Sequence, residues 1–152
     1  MKEHFLISDN LLIKAKKRWD TTDKQELDSS IIPALEMLNK HPNIATTWSC
    51  SGLFCDHNDD YDFTGSDGCY IIMAINKPEG IDYLFNLFYL ISQEISTEVF
   101  PSLSFIYLDN FIEETKEHIP LIKLSFENIN LDIINNLLNI SQLLLEENKI
   151  IS

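Results

Sequence analysis

The stretch SSIIPALEMLNKHPNIATTWSCSG, residues 29–52, contains both patterns from which the chain is built. Its first half repeats apolar residues at helical spacing, and Pro33 fits the opening turn of a helix, so we predict a helix over residues 29–40. Pro42 disfavours helical geometry in the residue before it and ends this helix. Residues 45–50 are rich in β-branched or aromatic residues, which predicts a strand directly after the helix.

The rest of the chain repeats these two patterns. The predicted helices span residues 29–40, 81–95 and 131–147, and the predicted strands span residues 45–50, 69–75, 103–108 and 119–126. This order predicts an α/β (α+β) fold in one domain, residues 1–152, with a mixed β-sheet of about four strands packed with three helices. We interpret residues 1–27 as an N-terminal arm and residues 52–68 as a long acidic loop.

The chain is strongly acidic, and its basic residues are unevenly distributed. Its formal net charge is −13 at pH 7, and no arginine follows residue 25. An acidic surface repels phosphate, so nucleic acid is expected to bind only through a basic cluster near the N-terminus. That cluster consists of Lys14, Lys16, Lys17 and Arg18. A solubilising surface is one interpretation of the acidic charge, and a nucleic-acid mimic that binds a protein partner is the alternative.

The chain shows no sign of a membrane protein or a secreted one. It has no apolar run of the roughly 18 residues that a membrane span needs, and the N-terminus lacks the apolar core of a signal peptide. Three cysteines are an odd number with no dense framework, which is typical of reduced thiols. We therefore predict a cytoplasmic protein.

The strand over residues 45–50 and the loop after it hold side chains that could carry chemistry. A zinc site is one possibility, but the spacing of its ligands matches no usual zinc motif, so no metal is predicted. Those ligands would be Cys50, Cys55, His57 and Cys69. A thiol nucleophile would need His41 or His57 as its base, and the aspartates of the loop disfavour a thiolate.

Hydroxyl side chains give a third interpretation. Strict strand alternation places Thr47, Ser49 and Ser51 on one face, and Gly52 permits a turn with exposed backbone N–H groups. Ligands in open α/β sheets favour the carboxyl ends of strands. These residues therefore predict a site for a small polar ligand, and a solvent-facing strand followed by an ordinary turn is the alternative.

The same segment resembles a known family. TTWSCSG, residues 46–52, resembles the Thr-Thr-Ser-Ser-Cys-Ser-Gly signature of the tRNA wybutosine-synthesising methyltransferase family. Asp20, Lys24 and Asp28 resemble the family's Asp-x-x-x-Lys-x-x-x-Asp pattern before its first helix. The segment PALEMLNKHPNIATT is similar to that helix and the strand after it, and GCYIIMAI and FPSLSFIYL are loosely similar to later strands.

The resemblance implies a mixed α/β domain that binds S-adenosylmethionine and methylates a modified guanosine in tRNA. It implies ligand-binding roles for Ser49, Ser51 and Gly52. Thr47 is a fourth predicted ligand-binding residue, because strand alternation places it on the same face as the two serines. It also implies that the candidate catalytic residues are Asp20, Lys24 and Asp28. The family usually has Arg at the position of Leu53 and His at that of Ile75, so whether the chain is an enzyme stays open.

Two functions are therefore expected. The first is a divergent, shortened domain of this kind that binds S-adenosylmethionine or a nucleotide-like molecule and, if it is an enzyme, transfers a methyl group. The second is a non-catalytic acidic protein that inhibits a protein partner or mimics nucleic acid.

Overall fold

The computed structural model describes residues 5–27, 29–50, 69–94, 101–109, 118–126 and 131–147. Its helices are α1 (Asp9–Thr21), α2 (Ile32–Lys40), α3 (Pro78–Glu94) and α4 (Leu131–Glu147), and a 3₁₀ turn spans Lys24–Glu26. Its strands are β1 (Ile44–Cys50), β2 (Cys69–Ile75), β3 (Pro101–Asp109) and β4 (His118–Phe126). The predicted elements are found with small shifts at their ends, and most of the predicted acidic loop lies outside the described residues.

The four strands form one sheet in the order β1-β2-β4-β3. All three strand pairings are antiparallel. The central strands β2 and β4 carry fully buried side chains such as Ile71, Met73 and Leu124. The predicted α+β class, with four strands and packed helices, is confirmed, but the sheet is antiparallel where a mixed sheet was predicted, and the described residues form four α-helices where three were predicted.

Three helices cover one face of this sheet. The helix α4 lies between α2 and α3 and contacts both. Leu35 and Leu38 of α2, Leu84 and Leu87 of α3, and Leu137 of α4 are completely buried in the core that these helices form with the sheet. Burial of a side chain of this size contributes about 1.5–3 kcal/mol, so this layer holds most of the apolar stabilisation. None of the helices in the described residues is long and apolar enough to cross a bilayer.

The described part of the predicted N-terminal arm contains the helix α1. The Ser8 side chain caps it by accepting a hydrogen bond from the Leu11 N–H at 3.2 Å. This helix packs on the face of the sheet opposite to α2, α3 and α4, in a cluster that includes Leu12, Ala15, Ala45 and Ala74. The alanines project little, so the helix backbone can lie close to the strands. The domain therefore has helices on both faces of the sheet.

The start of α3 lies against the ends of β1 and β2 at Gly80. A Cβ atom at this position would lie 2.6 Å from Ile75 Cγ2 and 3.2 Å from the Asn43 carbonyl oxygen. The Gly80 N–H donates to the Lys77 carbonyl at 3.0 Å. Glycine is therefore needed here because the space for a side chain is already filled.

Candidate functional site

A pocket of about 170 Å³ opens beside β1, which is an edge strand of the sheet. It lies where the chain passes from α1 to α2 and so from one face of the sheet to the other. We call it the β1-edge pocket. Its lining residues are Arg18, Trp19, Thr22, Leu27, Leu35, Thr46, Thr47 and Ser49. Because a cavity of ~150 Å³ admits a benzene ring, this pocket has room for one ring or a short polar chain.

A β-bulge shapes the strand side of the β1-edge pocket. Thr46 pairs with Met73, and Trp48 pairs with the preceding residue of β2, so Thr47 is the extra residue of the bulge. The strict alternation that we predicted for β1 therefore does not hold across Thr47. The bulge brings Ser49 onto the same face as Thr46, and the hydroxyl residues Thr46, Thr47 and Ser49 all line the pocket.

Local hydrogen bonds hold several of these hydroxyl groups. Thr47 Oγ1 donates to the Ile72 carbonyl at 3.0 Å and thereby fixes the bulge to β2. Thr22 Oγ1 donates to the Arg18 carbonyl at 2.6 Å at the end of α1. Thr46 is held by the side chain of Asn39. Hydrogen bonds within the protein thus fix the positions of the three threonine side chains on the polar side of the pocket.

Trp19 forms the aromatic part of the wall, and Lys24 fixes it. Lys24 Nζ lies 4.0 Å from the centroid of the Trp19 ring and donates to the carbonyl oxygens of Trp19 and Thr22. A cation at the carboxyl end of a helix satisfies carbonyls that have no partner in the helix. Lys24 does not itself line the pocket.

The other predicted catalytic residues lie apart from the pocket wall or outside the description. Asp20 is exposed on α1, where its carboxylate favours the charged form of Lys16. Asp28, Ser51 and Gly52 lie outside the described residues. Among the predicted ligand-binding residues, the structure thus brings Thr47 and Ser49 to the pocket, and the rest of the predicted set stays a prediction.

Lys16 of the predicted basic cluster is used inside the fold. Its Nζ donates to the Asn39 carbonyl at 2.7 Å and to the His41 carbonyl at 2.6 Å, at the carboxyl end of α2. Burial lowers the pKa of Lys16 from 10.5 to about 8, and the nearby Asp20 opposes this shift. Lys14, Lys17 and Arg18 are exposed on α1. Any phosphate contact through this cluster would therefore draw on those three side chains.

The residues considered for a zinc site fall largely outside the described part of the chain. Cys69 is buried in the core beneath the helices. Cys55 and His57 are not described, and neither is the Cys50 side chain. Within the described ranges, no group of three His, Cys, Asp or Glu side chains is placed to hold a metal ion.

Several residues of the site had no functional signal in the sequence. The lining residues Trp19, Leu27 and Leu35 are apolar, and their pattern indicates only burial. Asn39, which contacts the lining residue Thr46, is a helical residue of ordinary type. They meet in space because α1 and α2 approach β1 from different sides. Comparisons of the chain with protein-family models, curated proteins and solved structures gave no match.

Proposed function

We propose that the protein binds a small polar ligand in the β1-edge pocket, with S-adenosylmethionine or a nucleotide-like molecule as the candidate. The observation that carries this proposal is the meeting of hydroxyl groups with an indole ring. Thr47 and Ser49, from the segment that resembles the methyltransferase family, line the same small pocket as Trp19. Such a mixture of an aromatic surface with a few placed polar groups is typical of ligand sites.

The size of the pocket supports insertion of one ring. The 170 Å³ volume accommodates a ring such as adenine and leaves the remainder of a larger ligand outside the pocket. Trp19, Leu27 and Leu35 supply apolar contacts for a ring, and the threonine hydroxyls supply hydrogen bonds to its edge. Arg18 also lines the pocket, and a guanidinium pairs well with a carboxylate or phosphate.

Binding is the part of the expected activity that the described residues support. Lys24 contacts backbone carbonyls and the Trp19 ring, which is a structural role. Asp20 does not line the pocket. Methyl transfer of an RNA-modification type stays a prediction from the family resemblance.

Calorimetric titration tests this proposal with S-adenosylmethionine, adenosine and methionine as separate probes. We expect heat from the first two and none from methionine, because only they carry the ring. Ser49→Ala should weaken both by about fivefold through loss of a hydrogen bond. Ser104→Ala, at an exposed position on β3, is the matched control and should change nothing. Absence of binding by all three probes would remove the proposal, and binding of methionine alone would show that the ring does not occupy the pocket.

The acidic charge favours a second candidate, an inhibitor of a nucleic-acid-binding protein. The net charge is −13, and Lys16 is turned toward the carbonyls of α2. This candidate gains support if none of the three probes binds and the protein displaces DNA or RNA from a purified basic protein in a salt-dependent way. A cytoplasmic location stays a prediction from the sequence.

A further inference from the structure

Asn39 of α2 lies behind the β1-edge pocket and holds Thr46 through two hydrogen bonds. Asn39 Oδ1 accepts from the Thr46 N–H at 2.9 Å, and Asn39 Nδ2 donates to Thr46 Oγ1 at 2.7 Å. Asn39 Nδ2 also donates to the Leu35 carbonyl at 2.8 Å. The opposite orientation of the amide would place Nδ2 against the Thr46 N–H, where two donors would meet, and Oδ1 against the Leu35 carbonyl oxygen, where two acceptors would meet. The orientation of the Asn39 amide is therefore determined by its partners.

This arrangement decides what the Thr46 hydroxyl offers to a ligand. A hydroxyl has one proton to donate and two lone pairs that accept. Asn39 Nδ2 uses one lone pair of Thr46 Oγ1, and no hydrogen bond from Thr46 Oγ1 to another described residue is formed. Thr46 lines the pocket. A ligand in the pocket can therefore receive a hydrogen bond from Thr46.

The hydroxyl groups of Thr47 and Thr22 can only accept a hydrogen bond from a ligand, whereas that of Thr46 donates one. Thr47 Oγ1 donates its proton to the Ile72 carbonyl, and Thr22 Oγ1 donates its proton to the Arg18 carbonyl. Each of these hydroxyls keeps only lone pairs for a ligand. The wall of the pocket thus combines one donor hydroxyl, Thr46, with two acceptor hydroxyls.

We propose that Asn39 is a positioning residue that sets this hydrogen-bond polarity, so that the occupant of the pocket presents an acceptor to Thr46 and N–H or O–H donors to Thr47 and Thr22. The inference rests on the proposed function and narrows it to a ligand class. A neutral ring with donor and acceptor atoms side by side, as on the amide or amidine edge of a nucleobase, matches this wall. A purely apolar ring leaves the Thr46 proton without a partner, which is costly in a buried site.

Asn39→Asp reverses the polarity at one atom. One carboxylate oxygen still accepts from the Thr46 N–H, and the other accepts the Thr46 hydroxyl proton, so Thr46 turns a lone pair to the ligand. This second oxygen also faces the Leu35 carbonyl oxygen, so the variant should be less stable than the wild type. Adenosine and inosine are suitable probes because they exchange donor and acceptor at the ring edge. Both are neutral, so the added charge affects them alike. We expect the ratio of their dissociation constants to change by about fivefold or more in this variant.

Two further substitutions give the experiment its controls. Thr46→Val removes the hydroxyl and should change the same ratio with Asn39 intact, whereas Thr46→Ser keeps the hydroxyl and should preserve the wild-type ratio. Asn39→Asp should have no effect on the ratio when it is combined with Thr46→Val. If Asn39→Asp fails to fold, the pair of Thr46 variants still tests the donor role.

Three outcomes separate this inference from the proposed function. An unchanged ratio in Asn39→Asp and in Thr46→Val, with both nucleosides still bound, overturns the inference alone. Failure of the wild-type protein to bind either nucleoside overturns the ring assignment and the ligand class together. Without any ligand, the pKa of the new carboxylate, followed by NMR, should rise when Thr46→Val is added, because one donor is lost. An equal pKa in both backgrounds overturns the orienting role of Asn39.

Discussion

His41 lies at the carboxyl end of α2 and is only 1% exposed. Its Nδ1 accepts a hydrogen bond from the Asn43 N–H at 3.1 Å, so the neutral ring carries its proton on Nε2. That nitrogen is buried and has no hydrogen-bond partner among the described residues. The ring lies 4.8 Å from that of Tyr83, whose hydroxyl donates to the Ser141 carbonyl at 2.9 Å. His41 is thus enclosed in a site that favours the neutral imidazole.

We predict that His41 makes stability depend on pH in the acidic range. Burial and, to a smaller extent, the charge of Lys16 lower its pKa from 6.5 to about 4, and Glu79 opposes the shift. The unfolded chain takes up a proton below about pH 6.5 and the folded protein does not until about pH 4. Stability should therefore fall as the pH decreases through this window, by at most about 3 kcal/mol.

Urea unfolding of the wild type and of His41→Leu at a series of pH values measures this contribution. Carboxylates titrate in both proteins, so the difference between the two profiles isolates His41. The loss of stability between pH 6.5 and 4 should be smaller in the variant. Parallel profiles would show that His41 has the same pKa in the folded and unfolded states.

Gly80 lies where the fold leaves no space for a side chain. Gly80→Ala should destabilise the protein by about 1–3 kcal/mol, because the added Cβ would overlap with Ile75 Cγ2 at 2.6 Å. The gain in helix propensity, at most about 1 kcal/mol, is smaller than this cost. Asn86→Ala, at an exposed position on the same helix, is the matched control and should be neutral or slightly stabilising. A Gly80→Ala protein as stable as the wild type in urea would show that the sheet yields at this contact.

At the scale of elements, α1 is joined to the rest of the protein in two different ways. Leu12 and Ala15 pack on one face of the sheet, whereas Lys16 reaches the carboxyl end of α2. The Lys16 ammonium neutralises carbonyl groups that a helix end leaves without partners. The position of α1, which carries Trp19, therefore depends on Lys16 as well as on apolar packing.

Lys16→Met should destabilise the protein by about 1–3 kcal/mol, because two carbonyl groups at the end of α2 lose a charged donor. Methionine keeps most of the apolar length of the side chain, so the change isolates the ammonium. Lys17→Met, at an exposed position one residue further along, should stay within about 0.5 kcal/mol of the wild type. Equal effects of the two substitutions in urea unfolding would contradict the role of Lys16.

At the scale of the whole molecule, the dominant feature is a net charge of −13 on 152 residues. Charges of one sign repel one another more in the compact state than in the unfolded chain. Salt screens this repulsion, with a Debye length that falls from about 30 Å at 0.01 M to about 3 Å at 1 M. The stability of the protein should therefore depend on ionic strength.

We predict that raising the salt concentration from about 0.01 M to about 1 M increases the free energy of unfolding in urea. If the effect is screening, sodium chloride and choline chloride should stabilise the protein equally. If a sodium ion binds to the protein, only sodium chloride should stabilise it. A free energy of unfolding that is constant or decreases with salt would show that attractive ion pairs outweigh the general repulsion.

Local patterns in the sequence determined most of the elements. The helix over residues 131–147 and the strand over residues 69–75 have the predicted bounds, because helical spacing and β-branched runs are properties of neighbouring residues. The helix α1 was not predicted, since its buried side chains are few and stand among lysines. Its burial becomes visible only with Ala45 and Ala74, whose small size admits it.

The candidate site was predictable only in part. Thr47 and Ser49 were predicted from their hydroxyl groups and from the family resemblance. The sequence did not predict the bulge at Thr47, the position of Trp19 or the hydrogen bonds between Asn39 and Thr46. The helix and strand periods, the acidic charge and the hydroxyl-rich end of β1 follow from the order of the residues alone. The identity of the side chains around those hydroxyls follows from the packing of the elements. Contacts such as Thr47 to Ile72, 25 residues apart, depend on how separate elements pack, and no local pattern encodes that.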